Sequence, residues 1–385
     1  MIDNQLLTTP PHTTIRNGQY SVRSSAFCNL HDSLGQYSDH YAYNYEGIKK
    51  GRDGQIDQLK FLLICLVVFG HVLMTLDYGR AERAMFNLIY SFHMPLFVFI
   101  SGYFTKPGDK RFKNWLSTFR FLSLYTIFDI LMWIVHTRTI SLYGVLVPQY
   151  AMWYLLSMFY WRFMAMWCKK EWLTKRNLLL VVAFSAIVGF VPKIGELLSF
   201  NRTACFLCFF MAGMMCKNTR FFYLIRKVPM WLALVPFIVV YVFMLHTNTY
   251  TEQLRFVYSF SYGTNVLRFI ERSAQMFCAV ILGLAFIRLS QVRMSRLFAK
   301  YGKYTLSFYL YHTFIIALLG WMANCFGLPA NIWFSMLYTA IIIVICALLS
   351  KVKILNKFLE INLLKNIAVS LYSKYNKDNG NKTTD

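Results

Sequence analysis

Stretches of about 17–25 mostly apolar residues recur along the whole of this chain, each long enough to cross the roughly 30 Å hydrocarbon layer as a helix. In lipid, every backbone amide and carbonyl must be satisfied within the protein, so such stretches fold as helices or as closed barrels. Barrel strands would show segments of about ten residues with alternating polarity, and the sequence has none. With 57% apolar and only 15% charged residues, the chain is no ordinary soluble domain. The fold class is therefore all-α, a polytopic membrane helix bundle of about ten transmembrane helices. Spans are expected at 57–77, 86–104, 116–136, 150–167, 178–198, 200–216, 229–245, 268–288, 304–323 and 332–350. The fifth has the least distinct end, because Pro192, Lys193 and Glu196 interrupt it and it can stop near Val191.

Basic residues orient the bundle, since lysine and arginine concentrate in cytoplasmic loops. Alternate segments are rich in them: Lys49, Lys50 and Arg52; Lys106, Lys110, Arg111 and Lys113; Lys169, Lys170, Lys175 and Arg176. The series continues through Lys217, Arg220, Arg226 and Lys227, then Arg288 to Lys303, then the tail from Lys351. Intervening loops hold few, namely Arg80, Arg83, Arg138, Lys193 and Arg255. Both termini are thus expected in the cytoplasm, and the net charge of +23 is mostly topology. Charge spread over separate loops is not a nucleic-acid footprint, so no nucleic-acid partner is expected.

Residues 1–50 are polar and lack the apolar core of a signal peptide. They are expected to form a disordered cytoplasmic tail, or to lie upstream of a true start near Gly51. Residues 51–350 form the transmembrane domain, and 351–385 a basic cytoplasmic tail. The nine cysteines fall mostly within spans or on the inner side, the pattern of small buried apolar side chains rather than disulfides. Cys205 and Cys208 form a C-x-x-C without a second pair, so no metal site is expected.

Two histidines interrupt the first two apolar stretches: His71 in the first and His93 in the second. An ionisable group at such depth is expensive unless it lines a polar cavity, and it marks function by default. His71 lies about 21 Å along its helix from Asp57, and His93 falls in the same outer half on the way back. Gly70 removes a side chain beside His71, which lets a ligand or backbone approach. Pro95 leaves the Ser91 carbonyl without its helical donor and should kink the helix. Ser101 and Gly102 permit close helix packing. A polar cavity between these helices is expected.

Lys60 precedes His71 by eleven residues, three turns plus about 20°, which puts both on one helix face about 16 Å apart. It can hold the anionic end of a ligand whose reactive end reaches His71, or simply snorkel to the cytoplasmic interface.

The runs "GQIDQLKFLLICLVVFGHV" (54–72) and "IYSFHMPLFVFISGYF" (89–104) resemble the acyltransferase 3 family of integral membrane O-acyltransferases. "SFNRTACFLCFFMAGM" (Ser199–Met214) and "YGKYTLSFYLYHTF" (Tyr301–Phe314) extend the similarity over about 51–350, closest to the fucose 4-O-acetylase-like branch. The resemblance implies a ten-helix bundle that takes an acyl group, usually acetyl, from coenzyme A and delivers it to a hydroxyl of a sugar or envelope glycan. The family's R/K-x10-H motif falls on Lys60 and His71, implying a donor-binding cation and a catalytic histidine, with His93 a second catalytic candidate. A neutral imidazole suits the removal of a hydroxyl proton. The family's cytoplasmic R-x-x-R pair has a looser counterpart here in Lys110, Arg111 and Lys113, candidates for the donor's phosphates. The expected partners are an acyl-CoA donor (acetyl-CoA, as substrate, with no bound cofactor), a sugar or glycan acceptor and membrane lipids; a homo-oligomer stays open. The implied location is a bacterial cytoplasmic (inner) membrane.

Ser101, Arg202, Glu271 and Arg272 are further candidates for substrate or oxyanion binding, each with an interfacial or structural alternative. His312 and Asp129 read as buried hydrogen-bonding residues. Trp153, Trp161, Trp167 and Trp172 read as interfacial anchors, with sugar stacking open for Trp153. A glycan transporter or flippase is the rival class. Transporters often show paired broken helices in internal repeats, whereas the Gly-His and Phe-His-Met-Pro signatures occur once.

Overall fold

The computed structural model describes residues 54–76, 79–137, 146–188, 197–217, 219–247, 266–292, 294 and 296–380. The expected tail over 1–50 lies outside them, as do Arg138, Lys193, Glu196 and Arg255. Among the described residues all regular structure is helical: α1 Gly54–Thr75, α2 Arg80–Phe104, α3 Phe112–Thr137, α4 Trp153–Trp167, α5 Lys175–Ile187, α6 Phe200–Cys216, α7 Phe221–Arg226 and α8 Met230–Thr247. These are followed by α9 Val266–Ser290, α10 Arg296–Tyr301, α11 Thr305–Phe326, α12 Ile332–Leu349, α13 Lys353–Leu359 and α14 Lys365–Gly380.

Eight of these stretches are long and apolar enough to cross a membrane, covering α1, α2, α3, α6, α8, α9, α12 and the continuous run from α10 through α11. The chain is an all-α, multi-pass membrane protein. The remaining two expected spans coincide with the shorter helices α4 and α5, of 15 and 13 residues. Local chemistry sets several ends. The Asn331 side chain accepts from the Phe334 amide to start α12, and Thr174 caps α5 in the same way. Gly327 ends α11 in the left-handed conformation that favours glycine. Beyond Lys351 the chain forms α13 and α14, and α14 packs on α3 around Trp115, Phe119 and Ala368.

The hairpin of α1 and α2 is the centre of the bundle. Within its apolar window α2 is 72% buried, against 11% for the peripheral α8. It packs against α1, α6, α8 and α9, while α1 packs against α2, α10, α11 and α12. Pro95 sits inside α2, which stays helical from Arg80 to Phe104.

α2 crosses α6 at direct backbone contact. A Cβ on Gly102 would overlap the Phe210 carbonyl, and one on Gly213 would overlap the Phe99 carbonyl. Two glycines on opposite helices thus bring the backbones into direct contact. This is the small-residue packing by which membrane helices associate without a hydrophobic drive between them. Substituting Gly213→Val should therefore force the helices apart and cost on the order of 1–3 kcal/mol or more. A thermal unfolding midpoint in detergent that matches wild type would refute the contact.

Candidate active site

α1 supplies His71 and α2 supplies His93, and both face a cavity of about 290 Å³. α1 and α2 form one wall, with Val67, Met74, Tyr90 and Met94 beside the histidines. Residues 147–151 and Trp153 form a strap across it, and Arg202, Phe206 and Tyr309 close it from α6 and α11.

Gly70 matters because of Tyr90. A Cβ there would come within 2.8 Å of the Tyr90 ring, so the glycine makes the slot that seats this ring beside His71. The expected close approach thus comes from an aromatic side chain of the neighbouring helix. Tyr90 stacks on Phe86 at 4.0 Å and lies 4.7 Å from the His93 ring. Its hydroxyl is 3.5 Å from His71 Nδ1. Tyr90 precedes His93 by one helical step of three, so this pairing was available from spacing alone.

The three histidines differ in their surroundings. His93 is buried, and its Nδ1 lies 2.7 Å from the Ile89 carbonyl. A carbonyl accepts only, so Nδ1 carries the hydrogen and Nε2 is an acceptor in the neutral ring. His312 on α11 is fully buried, with Nδ1 donating to the Phe308 carbonyl at 3.0 Å. That is the structural hydrogen bond expected of it, but its Nε2 is buried without a hydrogen-bond partner. Its ring centroid is 5.3 Å from that of half-buried His71.

The strap is held from two sides. Asp129 on α3 accepts from the Gln149 amide at 2.7 Å. The Tyr309 hydroxyl donates to the Ala151 carbonyl. Between these anchors Tyr150 adopts a positive φ of 47°, a conformation that costs a non-glycine residue energy and persists only where the surroundings enforce it.

The "NRT" segment at the start of α6 sends consecutive side chains different ways. Arg202 enters the cavity wall, its guanidinium 5.2 Å from the centre of the Trp153 ring. Thr203 turns to α4, where its hydroxyl pairs with Ser157 at 2.7 Å and its carbonyl accepts from Trp161 Nε1 at 3.0 Å. Trp153 and Trp161 are buried, at 8% and 0% exposure, and so are cavity and core residues rather than interfacial anchors. Trp167 and Trp172 are exposed, as an interfacial belt requires. Trp153 also stacks on Phe206 at 5.3 Å, which fixes one aromatic face at the cavity edge. The composition of a membrane span does not separate these two roles for tryptophan.

The other expected site residues lie away from this cavity. Ser101 binds the Phe97 carbonyl and the Tyr154 hydroxyl, at 2.9 and 2.5 Å, linking α2 to α4. Arg272 is buried on α9 and donates to Cys205 Sγ, one residue before cavity-lining Phe206; Glu271 is half-buried beside it in sequence. Lys60 pairs with Asp57 at 2.6 Å and lies 5.2 Å from the Phe104 ring centre, where α1 begins and α2 ends. Lys217 reaches the Phe104 and Thr105 carbonyls at the same end.

Lys110 and Arg111 follow α2, and Lys113 begins α3. Lys110 stands over the Trp167 ring at 3.9 Å, Arg111 forks onto Asp109 at 2.8 and 2.7 Å, and Lys113 is exposed. Hydrogen bonds from the Arg111 guanidinium hold the Asp109 carboxyl below the usual carboxylate range. The cations thus gather at one end of the hairpin and the histidines further along it. Among the described residues no group of three or more His, Cys, Asp or Glu is placed to hold a metal ion.

The acyltransferase 3 profile, described as an acyltransferase domain, matches residues 53–351. The chain belongs to the acyltransferase 3 family. Of the curated relatives, the nodulation protein NolL of Sinorhizobium fredii is 46% identical over 56 residues, 14% of this chain and 15% of that protein. NolL of Mesorhizobium japonicum is 42% identical over 64 residues, 16% of this chain and 17% of its own length. This chain therefore aligns with under a fifth of either relative. No solved structure matches it.

The strap's dependence on Asp129 is open to direct measurement. A hydrogen bond to a carboxylate contributes about 1.5–3 kcal/mol, so Asp129→Ala should speed amide exchange over 147–151 roughly 10- to 100-fold. Exchange in α1 and α2 should not change. Unaltered exchange in the strap would show that Asp129 does not hold it.

Proposed function

We propose that this protein is a membrane O-acyltransferase that moves an acetyl group from acetyl-coenzyme A to a hydroxyl of a sugar or cell-envelope glycan, with His71 as general base. The observation that carries the reading is His71 in the wall of a cavity bordered by His93, Tyr90, Tyr309 and Arg202, in a chain of the acyltransferase 3 family. Acyl transfer to a hydroxyl needs a base at the oxygen and a donor or cation for the developing oxyanion. His71 suits the first role, and Arg202 and the Tyr90 hydroxyl are the groups at hand for the second, since the Tyr309 hydroxyl already donates to the Ala151 carbonyl.

A cavity of about 290 Å³ lies at the small end of ligand sites, which favours one sugar ring and a short acyl group over a fatty chain. The flat face of Trp153 is suited to a sugar ring. Lys60, Lys110, Arg111 and Lys113 surround the other end of the hairpin and suit the donor's phosphates. For Arg111 this means exchanging the Asp109 carboxylate for a phosphate. On this reading the basic end is cytoplasmic, in a bacterial inner membrane, with the donor entering from within and the acceptor meeting His71 from outside.

The test uses the full chain in detergent with radiolabelled acetyl-coenzyme A and an extract of envelope glycans. His71→Ala should lower transfer by at least about 100-fold, the ordinary worth of a general base, with donor binding intact. Lys60→Ala should weaken donor binding roughly tenfold. A folded wild type that binds no donor would instead favour transport.

A further inference from the structure

His312 has a property that neither packing nor its local hydrogen bond explains. Its Nδ1 donates to the Phe308 carbonyl, so in the neutral ring Nε2 holds a bare lone pair, and this atom is buried without a partner. Leaving a buried acceptor unsatisfied costs about 1–3 kcal/mol. The neighbour in reach is His71, with ring centroids 5.3 Å apart and planes inclined by 49°. Two imidazoles joined edge to edge by one N–H···N bond of about 3 Å have centroids roughly 5 Å apart. The centroid separation is thus close to that of a bonded pair, while His312 Nε2 makes no hydrogen bond in the resting structure.

We propose that His312 is the positioning residue of His71, its bare Nε2 receiving the Nε2–H of the His71 ring in a bond that strengthens when that ring takes up a proton at Nδ1. The inference rests on His71 acting as the base. In that step the acceptor hydroxyl gives its proton to His71 Nδ1, on the edge beside Tyr90, while its oxygen forms a C–O bond to the acyl carbon. The C–S bond of the thioester breaks, and the departing thiolate takes the proton from His71. His312 stays neutral throughout. It accepts a hydrogen bond from Nε2 of the transient imidazolium and so holds the ring at one tautomer and one angle.

A base of this kind is commonly oriented by a carboxylate. Among the described residues, none of those lining this cavity is a carboxylate. The polar groups facing the histidine are Tyr90 and His93 from α2, Tyr309 from α11, Arg202 from α6 and Tyr150 and Gln149 from the strap. The buried polar residues of α12, which packs on α1, are the uncharged Ser335 and Thr339. A neutral acceptor stabilises the imidazolium without adding an ion to the membrane interior, where each charge is expensive.

The experiment reads His71 without turnover. The full chain, as wild type, His312→Phe and His312→Gln, is treated with diethyl pyrocarbonate across pH, and the modification of His71 is followed by peptide mass spectrometry. Losing the acceptor should move the midpoint of His71 modification to lower pH by about one unit in His312→Phe, because a hydrogen bond to the charged form favours it. His312→Gln keeps an acceptor oxygen and should fall between. Transfer should drop at least tenfold in His312→Phe with donor affinity unchanged, and recover in part in His312→Gln. Should His312→Phe not fold, the midpoint of His312→Gln against wild type decides alone. Superimposed curves with transfer lost in His71→Ala overturn this inference only; full transfer by His71→Ala overturns the role of His71 and the inference with it.

Discussion

The contact of α2 with α6 through Gly102 and Gly213 is the constraint on which the site depends. Lipid offers these helices no hydrophobic reason to associate, so their attraction comes from close backbone packing. That packing sets how near α6 stands to the hairpin, and Arg202 and Phe206 on α6 complete the cavity facing His71 and His93. Thr203 then ties α4 to the same helix through Ser157 and Trp161. A single crossing thus links two further helices, α6 and α4, to the hairpin. The effect of a bulkier residue at position 213 would be felt at His71 without touching it.

Much of this was legible in the chain. Hydropathy located the long helices because lipid gives apolar runs few alternatives, and the two histidines stood out because charge is rare at that depth. The profile match over 53–351 agrees with the family resemblance carried by Lys60, His71, His93 and the Ser199–Met214 run. The cavity's other components were not legible. Trp153 and Trp161 have the composition of interfacial anchors and became core residues through contacts with α6. The strap at 147–151 depends on Asp129 and Tyr309, residues distant in sequence whose roles exist only in three dimensions. Gly70 was read as room for a ligand or backbone, and what fills that room is the Tyr90 ring of the returning helix.

The polar residues along the bundle fall into two groups with different energetics. Near the start of α1, the end of α2 and the start of α3 the cations already have partners: Lys60 with Asp57, Lys110 with the Trp167 ring, Arg111 with Asp109. Of these, Arg111 has an exposed side chain, and a pair of that kind contributes little, whereas Lys60 is held to a buried Asp57. The histidines are the opposite case. Their Nδ1 atoms are committed to main-chain carbonyls in His93 and His312, which fixes tautomers that water would otherwise scramble.

The helix that carries both Lys60 and His71 runs without interruption from Gly54 to Thr75. Its two polar stations are therefore separated by a fixed rise per residue and cannot move relative to one another while the helix survives. It serves as a gauge built into the wall: a ligand spanning both stations must match its length, and no loosening of the bundle resets it. Any opening of the cavity falls to the opposite side, where a short strap with a residue at positive φ hangs from two hydrogen bonds.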